Sequence, residues 1–560
     1  MVTQSWEAKA EKARERLARS IAKEWLLDKS SCPSHGRLNV MDVPEESGRL
    51  SVEEILITNS DASGLVSKME IGEWTAEQVT VAYLKRATIG HQLLNMATEF
   101  MVEDALAQAR ALDEYYRQHK KLVGPLHGVP ISTKEHISHK GRLVHASYVA
   151  LVDNVAAEDA FLVRLLKASG AVFHLRTNEP QTMMTGDTEN NLTGRTKNGH
   201  NLRLANGGSS GGEGASVSFK CAAIGLGTDI GGSIRIPAAF NGCYGFRPTA
   251  CRLPYGGVFL PGEGQESIRC VIGPLTRGID DIELLMSSVL VQKPWEEELS
   301  LVPLPWKSAA TSKNITIGVM WSDGIVNPQP PMQRALRMTV EKLKAAGVTV
   351  VDFEPYKTAE AMDIITSKQG SIFDSSLDNL LTYIALFFPD GGKTQWDLLK
   401  QSGEPVYQQS RAMLEIAREI TVAENWAYNA RRDALRNEFH SLMTQRGVNV
   451  ILTAPYPGAA PLVGTVDYGV YTMLWNMLDM PALVMPVGLT VDPTLDRKSP
   501  SYQTISEYDK GQFDKFDAED SVGAPVCVQV VGKHFRDEET IAAARIIEVA
   551  LARTAVVPAL

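Results

Sequence analysis

The sequence predicts a single large α/β/α domain whose central sheet is mixed, mostly parallel and twisted, with helices on both faces. Helical segments alternate with short apolar runs, a pattern typical of strands buried between two layers of helices. The chain has 560 residues, of which 44% are hydrophobic and 22% charged. These values are those of a globular protein that can bury one large core.

The N-terminal segment, residues 1–75, is predicted to be helical. Leu17, Ile21 and Trp25 are spaced four apart with charged residues between them, so they form one apolar stripe on a helix. This stripe could pack on the body of the chain, which we favour, or on a second subunit of a homodimer. Residues 76–560 are assigned to the main domain, with a catalytic core at about 120–290.

The body repeats a unit in which a helix ends near a glycine and a strand follows. Residues 157–178 show this unit around Gly170, and residues 332–353 show it around Gly347. Another helix is marked by apolar residues near position 110 and ends at "VGPLHGVP", just before Lys134. Further strands are predicted at "NITIGVM" (314–320), "VNVILTA" (448–454), "PALVMPVGL" (481–489) and "APVCVQVVG" (524–532).

Composition excludes several functional classes. The net charge is −10 and no Lys/Arg cluster is visible, so nucleic acid is not an expected partner. The six cysteines form no Cys-x-x-Cys pair, which argues against a structural zinc site and a disulfide framework. No apolar run approaches the roughly 20 residues of a membrane span, and the N-terminus resembles no targeting peptide. We therefore expect a cytoplasmic protein with no membrane partner.

Residues 207–235, "GGSSGGEGASVSFKCAAIGLGTDIGGSIR", are rich in glycine and serine, and two common interpretations of them fit poorly. A nucleophile elbow at Ser209 needs an apolar strand before it, whereas "TKNGHNLRLAN" is polar. A phosphate-binding loop needs Gly-x-x-x-x-Gly-Lys-Ser/Thr, and residues 207–235 contain no Gly-Lys pair. A dinucleotide fingerprint starting at Gly225 fails because residue 230 is isoleucine.

Ser233 is the better candidate nucleophile. It follows the predicted buried strand "CAAIGLGTD" and the residues Ile230, Gly231 and Gly232, whose backbone N–H groups could converge on an oxyanion. None of the eleven histidines lies in a recognisable triad context. Lys134 is the alternative base, because burial can leave a lysine neutral.

Three motifs carry a resemblance to a known family: "GPLHGVPISTKEH", "GGSSGGEGA" and "GTDIGGSIRIPAAF". With 75 positions from Lys134 to Ser209 and 24 from Ser209 to Ser233, they resemble the amidase signature family, and most closely the fungal acetamidase-type general amidases. The resemblance covers nearly the whole chain. It implies hydrolysis of a small-molecule carboxamide through an acyl-enzyme, with no metal and no organic cofactor.

The resemblance also implies a role for individual residues. Ser233 would be the nucleophile, Ser209 the bridging serine and Lys134 the base of a Ser-Ser-Lys triad. The backbone N–H groups of Ile230, Gly231, Gly232 and Ser233 would bind the oxyanion. Residues that would support the triad or line the pocket are Ser210, Asp229, Arg235, Met183, Thr185 and Trp475, although core packing is the default interpretation for Trp475.

The chain departs from the family pattern at Glu135-His136, at Val144–Ser147 and at Thr185–Thr188. These departures flank the predicted pocket, so they leave the substrate open. The alternatives are a bulkier or secondary amide or an ester, the glutaminase subunit of a tRNA amidotransferase, and an inactive binding protein with this fold.

Overall fold

The computed structural model describes residues 5–29, 31–34, 36–312, 314–366 and 385–552. Within them lie an 11-stranded sheet and a separate two-stranded sheet formed by β4 and β5. In chain order the strands are β1 Ala97–Phe100, β2 Pro130–Lys134, β3 Val172–Thr177, β4 Glu189–Asn190, β5 Gly194–Arg195, β6 Ile224–Asp229, β7 Tyr244–Arg247, β8 Val271–Thr276, β9 Thr316–Val319, β10 Thr349–Asp352, β11 Val450–Thr453, β12 Ala482–Thr490 and β13 Pro525–Gly532.

The large sheet has the order β1-β3-β2-β6-β8-β7-β12-β13-β11-β9-β10. A mixed sheet is confirmed, but the expectation that it is mostly parallel is wrong. Of the ten pairings between its described strands, four are parallel: β2 with β3, β2 with β6, β11 with β9, and β10 with β9. The other six are antiparallel.

Two returning strands explain most of this difference. β8 lies between β6 and β7 and is antiparallel to both, and β13 lies in the same way between β12 and β11. The strands on either side of each insertion therefore run parallel to each other without being neighbours. A strand buried on both faces is a continuous apolar run in either direction, so its sequence does not reveal the direction of its partner.

Helices flank the sheet. For example, α8 packs on β2 and β6, while α11 and α18 pack on each other and on β13. The helices are α1 Trp6–Ser20, α2 Val43–Glu46, α3 Val52–Asn59, α4 Ala62–Glu70, α5 Ala76–Leu94, α6 Val102–His119, α7 Phe161–Ala168, α8 Gly211–Ser218, α9 Arg235–Asn241, α10 Ile279–Leu290, α11 Pro330–Ala345, α12 Thr358–Thr366, α13 Lys393–Ser402, α14 Gln408–Glu415, α15 Val422–Gln445, α16 Val470–Leu478, α17 Glu507–Lys515 and α18 Asp537–Ala552.

The predicted helix–glycine–strand units are both present. α7 ends just before Gly170 and β3 follows, and α11 ends just before Gly347 and β10 follows. The four further predicted strands correspond to β9, β11, β12 and β13. The helix predicted near position 110 is α6.

The N-terminal segment contacts the body of its own chain. Leu17 is buried in an apolar cluster with residues of the body, and Ile21 and Trp25 pack against this cluster. Arg16 Nη1 donates a hydrogen bond of 2.9 Å to the Val152 carbonyl. α1 ends at Ser20, earlier than the stripe suggests. The domain boundary at residue 75 and a homodimer stay predictions.

Three predictions from the composition concern the cysteines, groups of metal-binding side chains and membrane-spanning helices. All six cysteines are free thiols. No group of three or more His, Cys, Asp or Glu side chains is placed to hold a metal ion in the described part of the chain. None of the helices within these ranges has the length and apolar character needed to span a membrane.

Candidate active site

The predicted catalytic residues meet at the carboxyl ends of two neighbouring parallel strands. Lys134 is the last residue of β2, which pairs in parallel with β6. Ser233 lies in the turn that connects β6 to α9, and Ser209 lies just before α8. Parallel strands end at the same edge of a sheet, which is where open α/β sheets bind their ligands.

Lys134 is completely buried, and its amine contacts two hydroxyl groups. Nζ lies 2.7 Å from Ser209 Oγ and 3.1 Å from Thr228 Oγ1. The nearest carboxylate oxygen in an ion-pair contact is Glu179 Oε2, 4.0 Å from Nζ. Burial lowers the pKa of Lys134 even though the charge of Glu179 opposes the change. This shift is towards the neutral amine, the form that can accept a proton.

Ser209 is held by close backbone packing. The peptide bond between Gly208 and Ser209 is cis. A side chain at Gly208 would clash with the Thr185 carbonyl oxygen, so this position requires glycine. The Ser210 N–H donates a hydrogen bond of 3.1 Å to the Ser233 carbonyl, which ties the Ser209 segment to the turn that carries Ser233.

Ser233 is partly exposed, unlike Lys134 and Ser209. Among the described residues, its hydroxyl forms no hydrogen bond, either with Ser209 or with any other group. The structure thus forms the Lys134–Ser209 contact of the predicted relay and leaves the Ser233 hydroxyl free at the wall of a cavity.

The four backbone N–H groups predicted to bind an oxyanion differ in their hydrogen bonds. The N–H groups of Ile230, Gly231 and Ser233 donate to no other described group. The prediction for Gly232 differs from the structure, because its N–H donates to Asp229 Oδ1 at 2.8 Å and is not free for an oxyanion. Gly232 has φ +129°, and a side chain there would clash with Thr472 Oγ1, so its conformation requires glycine.

Asp229 organises this turn. Its carboxylate accepts hydrogen bonds from the backbone N–H groups of Gly232 and Ile234, from Asn476 Nδ2, and from Arg235 through both Nε and Nη2. Burial by itself would raise the pKa of Asp229, but the charge and hydrogen bonds of Arg235 and Asn476 hold it at about 2. Asp229 is therefore an ionised, fully satisfied buried carboxylate.

Arg235 links the turn to the distant part of the chain. Besides Asp229, it donates to the Thr472 carbonyl at 3.0 Å, to Gln529 Oε1 at 2.9 Å and to Asn476 Oδ1 at 2.6 Å. Ser210 Oγ bonds to the backbone of Thr228 on β6 at 3.2 Å, both as donor and as acceptor. Ser210, Asp229 and Arg235 thus lie where the resemblance places supporting residues.

Two cavities meet at Ser233. The first cavity, about 320 Å³, includes Ser209, Thr228, His136, Cys270 and Gln395 in its wall. The second cavity, about 180 Å³, is lined mainly by apolar side chains, including those of Met184, Ile230, Phe387, Met413, Val466 and Met473.

The predicted pocket residues divide between the cavities and the core. Met183 lines both cavities and Thr185 lines the second. Trp475 is completely buried and packs edge-on against Phe439, with ring centroids 5.8 Å apart. It lines neither cavity, so core packing is the correct interpretation for Trp475. Met473, two residues earlier on α16, is the side chain of that segment that reaches the second cavity.

Sequence reasoning missed several side chains of the site. Thr228 contacts Lys134, and its only signal in the sequence is its place beside Asp229 at the end of a predicted strand. Asn476 and Gln529 contact Arg235 across more than 240 positions of the chain, and no local pattern marks them. Glu179 lies after β3 next to Lys134, again without a local signal.

Comparison with known proteins identifies the group to which this arrangement belongs. A family model described as Amidase matches residues 78–541. An acetamidase of Aspergillus oryzae is 38% identical over 563 residues, covering 98% of this chain and 99% of the relative. An acetamidase of Emericella nidulans is 38% identical over 556 residues, covering 97% of each. A solved structure of a fatty acid amide hydrolase superposes with a TM-score of 0.90 and 36% identity, covering 98% of this chain and 95% of that one.

We expect Asp229→Asn to lower the free energy of unfolding by about 3–5 kcal/mol, because the buried Arg235 would lose its one carboxylate partner among the described residues. Denaturant unfolding of the variant and the wild type measures this difference. The matched control is Asp280→Asn, because the wild-type Asp280 side chain also pairs with an arginine, Arg545, but is 63% exposed. The control should change the free energy by no more than about 1 kcal/mol. Equally small effects of both substitutions would contradict the structural role of Asp229.

Proposed function

Because this chain belongs to the amidase family and is an amide-hydrolysing enzyme, we propose that it cleaves a carboxamide through an acyl-enzyme on Ser233, with a Ser-Ser-Lys triad. The observation that carries this proposal is the buried contact of 2.7 Å between Lys134 Nζ and Ser209 Oγ. A buried amine beside a serine hydroxyl has the position of a general base, and burial shifts it towards the neutral form that a base needs.

In the proposed first step, neutral Lys134 accepts the proton of Ser209 while Ser209 accepts the proton of Ser233. Ser233 Oγ then attacks the carbonyl carbon of the amide, and the carbonyl oxygen becomes an oxyanion. The free N–H groups of Ile230, Gly231 and Ser233 are the proposed donors to this oxygen. Such a donor typically stabilises the transition state by about 3 kcal/mol. Gly232 is left out of this set because its N–H is bonded to Asp229.

In the proposed second step, the proton returns from Lys134 through Ser209 to the leaving nitrogen. This transfer is necessary because an amide does not expel an unprotonated amide anion. The C–N bond breaks and leaves an ester between the acyl group and Ser233 Oγ. Water then hydrolyses this ester, so the products are a carboxylate and ammonia or an amine.

We propose that the acyl group occupies the second cavity. Its lining is largely apolar, and Ser233 lies at its junction with the first cavity, which would receive the leaving amine. This arrangement favours aliphatic acyl groups longer than acetyl, and the similarity to a fatty acid amide hydrolase supports the same preference. An apolar acyl site does not suit the charged end of glutamine, so the glutaminase alternative is less well supported.

We expect Ser233→Ala to remove amide hydrolysis, since the variant lacks the oxygen that forms the acyl bond. Incubating the wild type with an activated aliphatic ester, quenching with acid and mapping peptides by mass spectrometry should place the acyl adduct on Ser233. The control Ser287→Ala, on α10, should keep wild-type activity and labelling. Undiminished turnover by Ser233→Ala, or an adduct on another residue, would exclude the proposed nucleophile.

We expect Lys134→Ala to lower kcat/KM for amides by at least about 1000-fold and for esters by a smaller factor, because an alkoxide leaves without prior protonation. Wild-type kcat/KM should fall as the pH is lowered, since protonated Lys134 cannot accept the serine proton. Hydrolysis of matched amide and ester pairs across pH tests both points. Lys510→Ala, at an exposed lysine paired with Asp514, is the control. Equal losses for amides and esters would argue against proton donation to the leaving group.

We expect kcat/KM for primary aliphatic amides to rise with acyl length by up to about fourfold per methylene, the effect of burying one CH₂ group. Ammonia release from a series starting at acetamide measures the trend. Met473→Trp should reduce the second cavity and lower kcat/KM for the longer amides more than for acetamide, which serves as the internal control. A uniform loss along the series would place the acyl group elsewhere.

A further inference from the structure

A buried histidine–carboxyl pair lies beside Lys134 and has no part in the proposed steps. His136 Nδ1 and Glu179 Oε2 share a hydrogen bond, and the same Oε2 is 4.0 Å from Lys134 Nζ. His136 follows β2 and Glu179 follows β3, so the parallel pairing of these strands brings them together. The exposed fractions of Lys134, His136 and Glu179 are 0%, 1% and 0%.

The hydrogen bonds of Glu179 differ sharply from those of Asp229. Asp229 accepts five hydrogen bonds, as an ionised buried carboxylate requires. Within the described ranges, Glu179 Oε2 shares a hydrogen bond with His136 and Oε1 has no hydrogen-bond donor, while a contact with the Glu135 carboxyl group partly offsets the rise in the pKa of Glu179. A buried carboxylate with so few donors is strongly destabilised, whereas a neutral carboxyl group that donates its one proton to an imidazole nitrogen is not.

We infer that His136 accepts a hydrogen bond from the carboxyl proton of Glu179 and thereby keeps that proton away from Lys134, whose amine stays neutral. This inference rests on the proposed role of Lys134 as the base. The competing state moves the proton from the Glu179 carboxyl group to Nζ, producing a carboxylate and an ammonium ion. Both states contain the same number of protons, but only the first contains a lysine that can act as a base.

The surroundings favour the neutral state. Burial raises the pKa of Glu179 and lowers the pKa values of His136 and Lys134, so each of the three shifts is towards the uncharged form. Glu135, the neighbouring carboxyl group, instead accepts hydrogen bonds from the N–H groups of His145 and Ala146. The titratable and charged groups that face the three residues are Glu135, His145, Arg176, Glu213, Asp229 and Cys270.

The inference makes His136 and Glu179 positioning residues that act through Lys134. His136→Leu removes the acceptor while keeping an apolar side chain of moderate size, so the proton should pass to Lys134. We expect kcat/KM for an amide at neutral pH to fall at least about 10-fold, with the acidic limb of its pH profile displaced upward by at least about one unit.

A second substitution separates this effect from simple damage. The double variant His136→Leu/Glu179→Gln has no carboxyl proton to transfer, so its activity should return to within about threefold of wild type and its acidic limb should return as well. His136→Asn, whose amide oxygen can stand near the position of Nδ1, should retain most of the activity.

Two results would overturn the inference: a wild-type pH profile in His136→Leu, or a double variant no more active than His136→Leu. If His136→Leu does not fold, as judged by its circular dichroism and melting temperature, the comparison is made with His136→Ala. Lys134→Ala is assayed in parallel. If Lys134→Ala is active, the triad itself is rejected. If Lys134→Ala is inactive and the double variant does not restore the activity lost in His136→Leu, only the role of the His136–Glu179 pair is rejected.

Discussion

The exclusion of water from the Lys134 amine is the constraint on which the rest of this site depends. Nζ lies at the end of a central strand with no exposed surface, and its hydrogen-bond partners are the hydroxyls of Ser209 and Thr228. An ammonium ion there would lose its hydration and gain little in return, since the nearest carboxylate oxygen in ion-pair contact is 4.0 Å away. Burial thus lowers the pKa of Lys134 and shifts it towards the neutral amine, the form that the proposed proton transfer requires.

The carboxyl groups around this amine have different tasks, and their hydrogen bonds distinguish them. Asp229 is saturated with donors and holds the turn that presents Ser233, so its charge serves the backbone geometry. Glu213 accepts hydrogen bonds from the hydroxyls of Ser132 and Thr177, and burial raises its pKa to about 8. Glu179 has the fewest donors of the three. Of these three carboxyl groups near Lys134, Asp229 is therefore the one whose negative charge is needed, because it holds the turn that carries Ser233. A negative charge on Glu179 would have the fewest donors to stabilise it.

The proposed catalytic groups and most of the second cavity lie in different parts of the fold. The groups that would carry the proton and bind the oxyanion lie at the ends of β2 and β6, on a rigid sheet edge. The wall of the second cavity instead includes Met413 on α14, Val466 in a loop and Met473 on α16. Substitutions in these later segments can alter the second cavity without touching the sheet edge. This separation is consistent with a family in which acetamidases and a fatty acid amide hydrolase share one fold.

Local patterns in the sequence were sufficient to identify strands β3, β6 and β9–β13, helices α6, α7 and α11, the serine after β6 and the lysine after the Gly/Pro break. Side-chain periodicity and glycine placement are local properties, so these predictions needed no knowledge of the packing. The motif spacing added Ser209, Ser210, Asp229 and Arg235, all of which the structure brings to one edge of the sheet.

Only the tertiary structure decided the direction of the paired strands, the engagement of the Gly232 N–H by Asp229, and the approach of Asn476, Gln529 and Glu179. Strand insertion by β8 and β13 joins segments that are far apart in the chain. A buried apolar strand has the same composition whichever way its neighbour runs. Contacts of this kind depend on which strands become neighbours, and no local stretch of sequence contains that information.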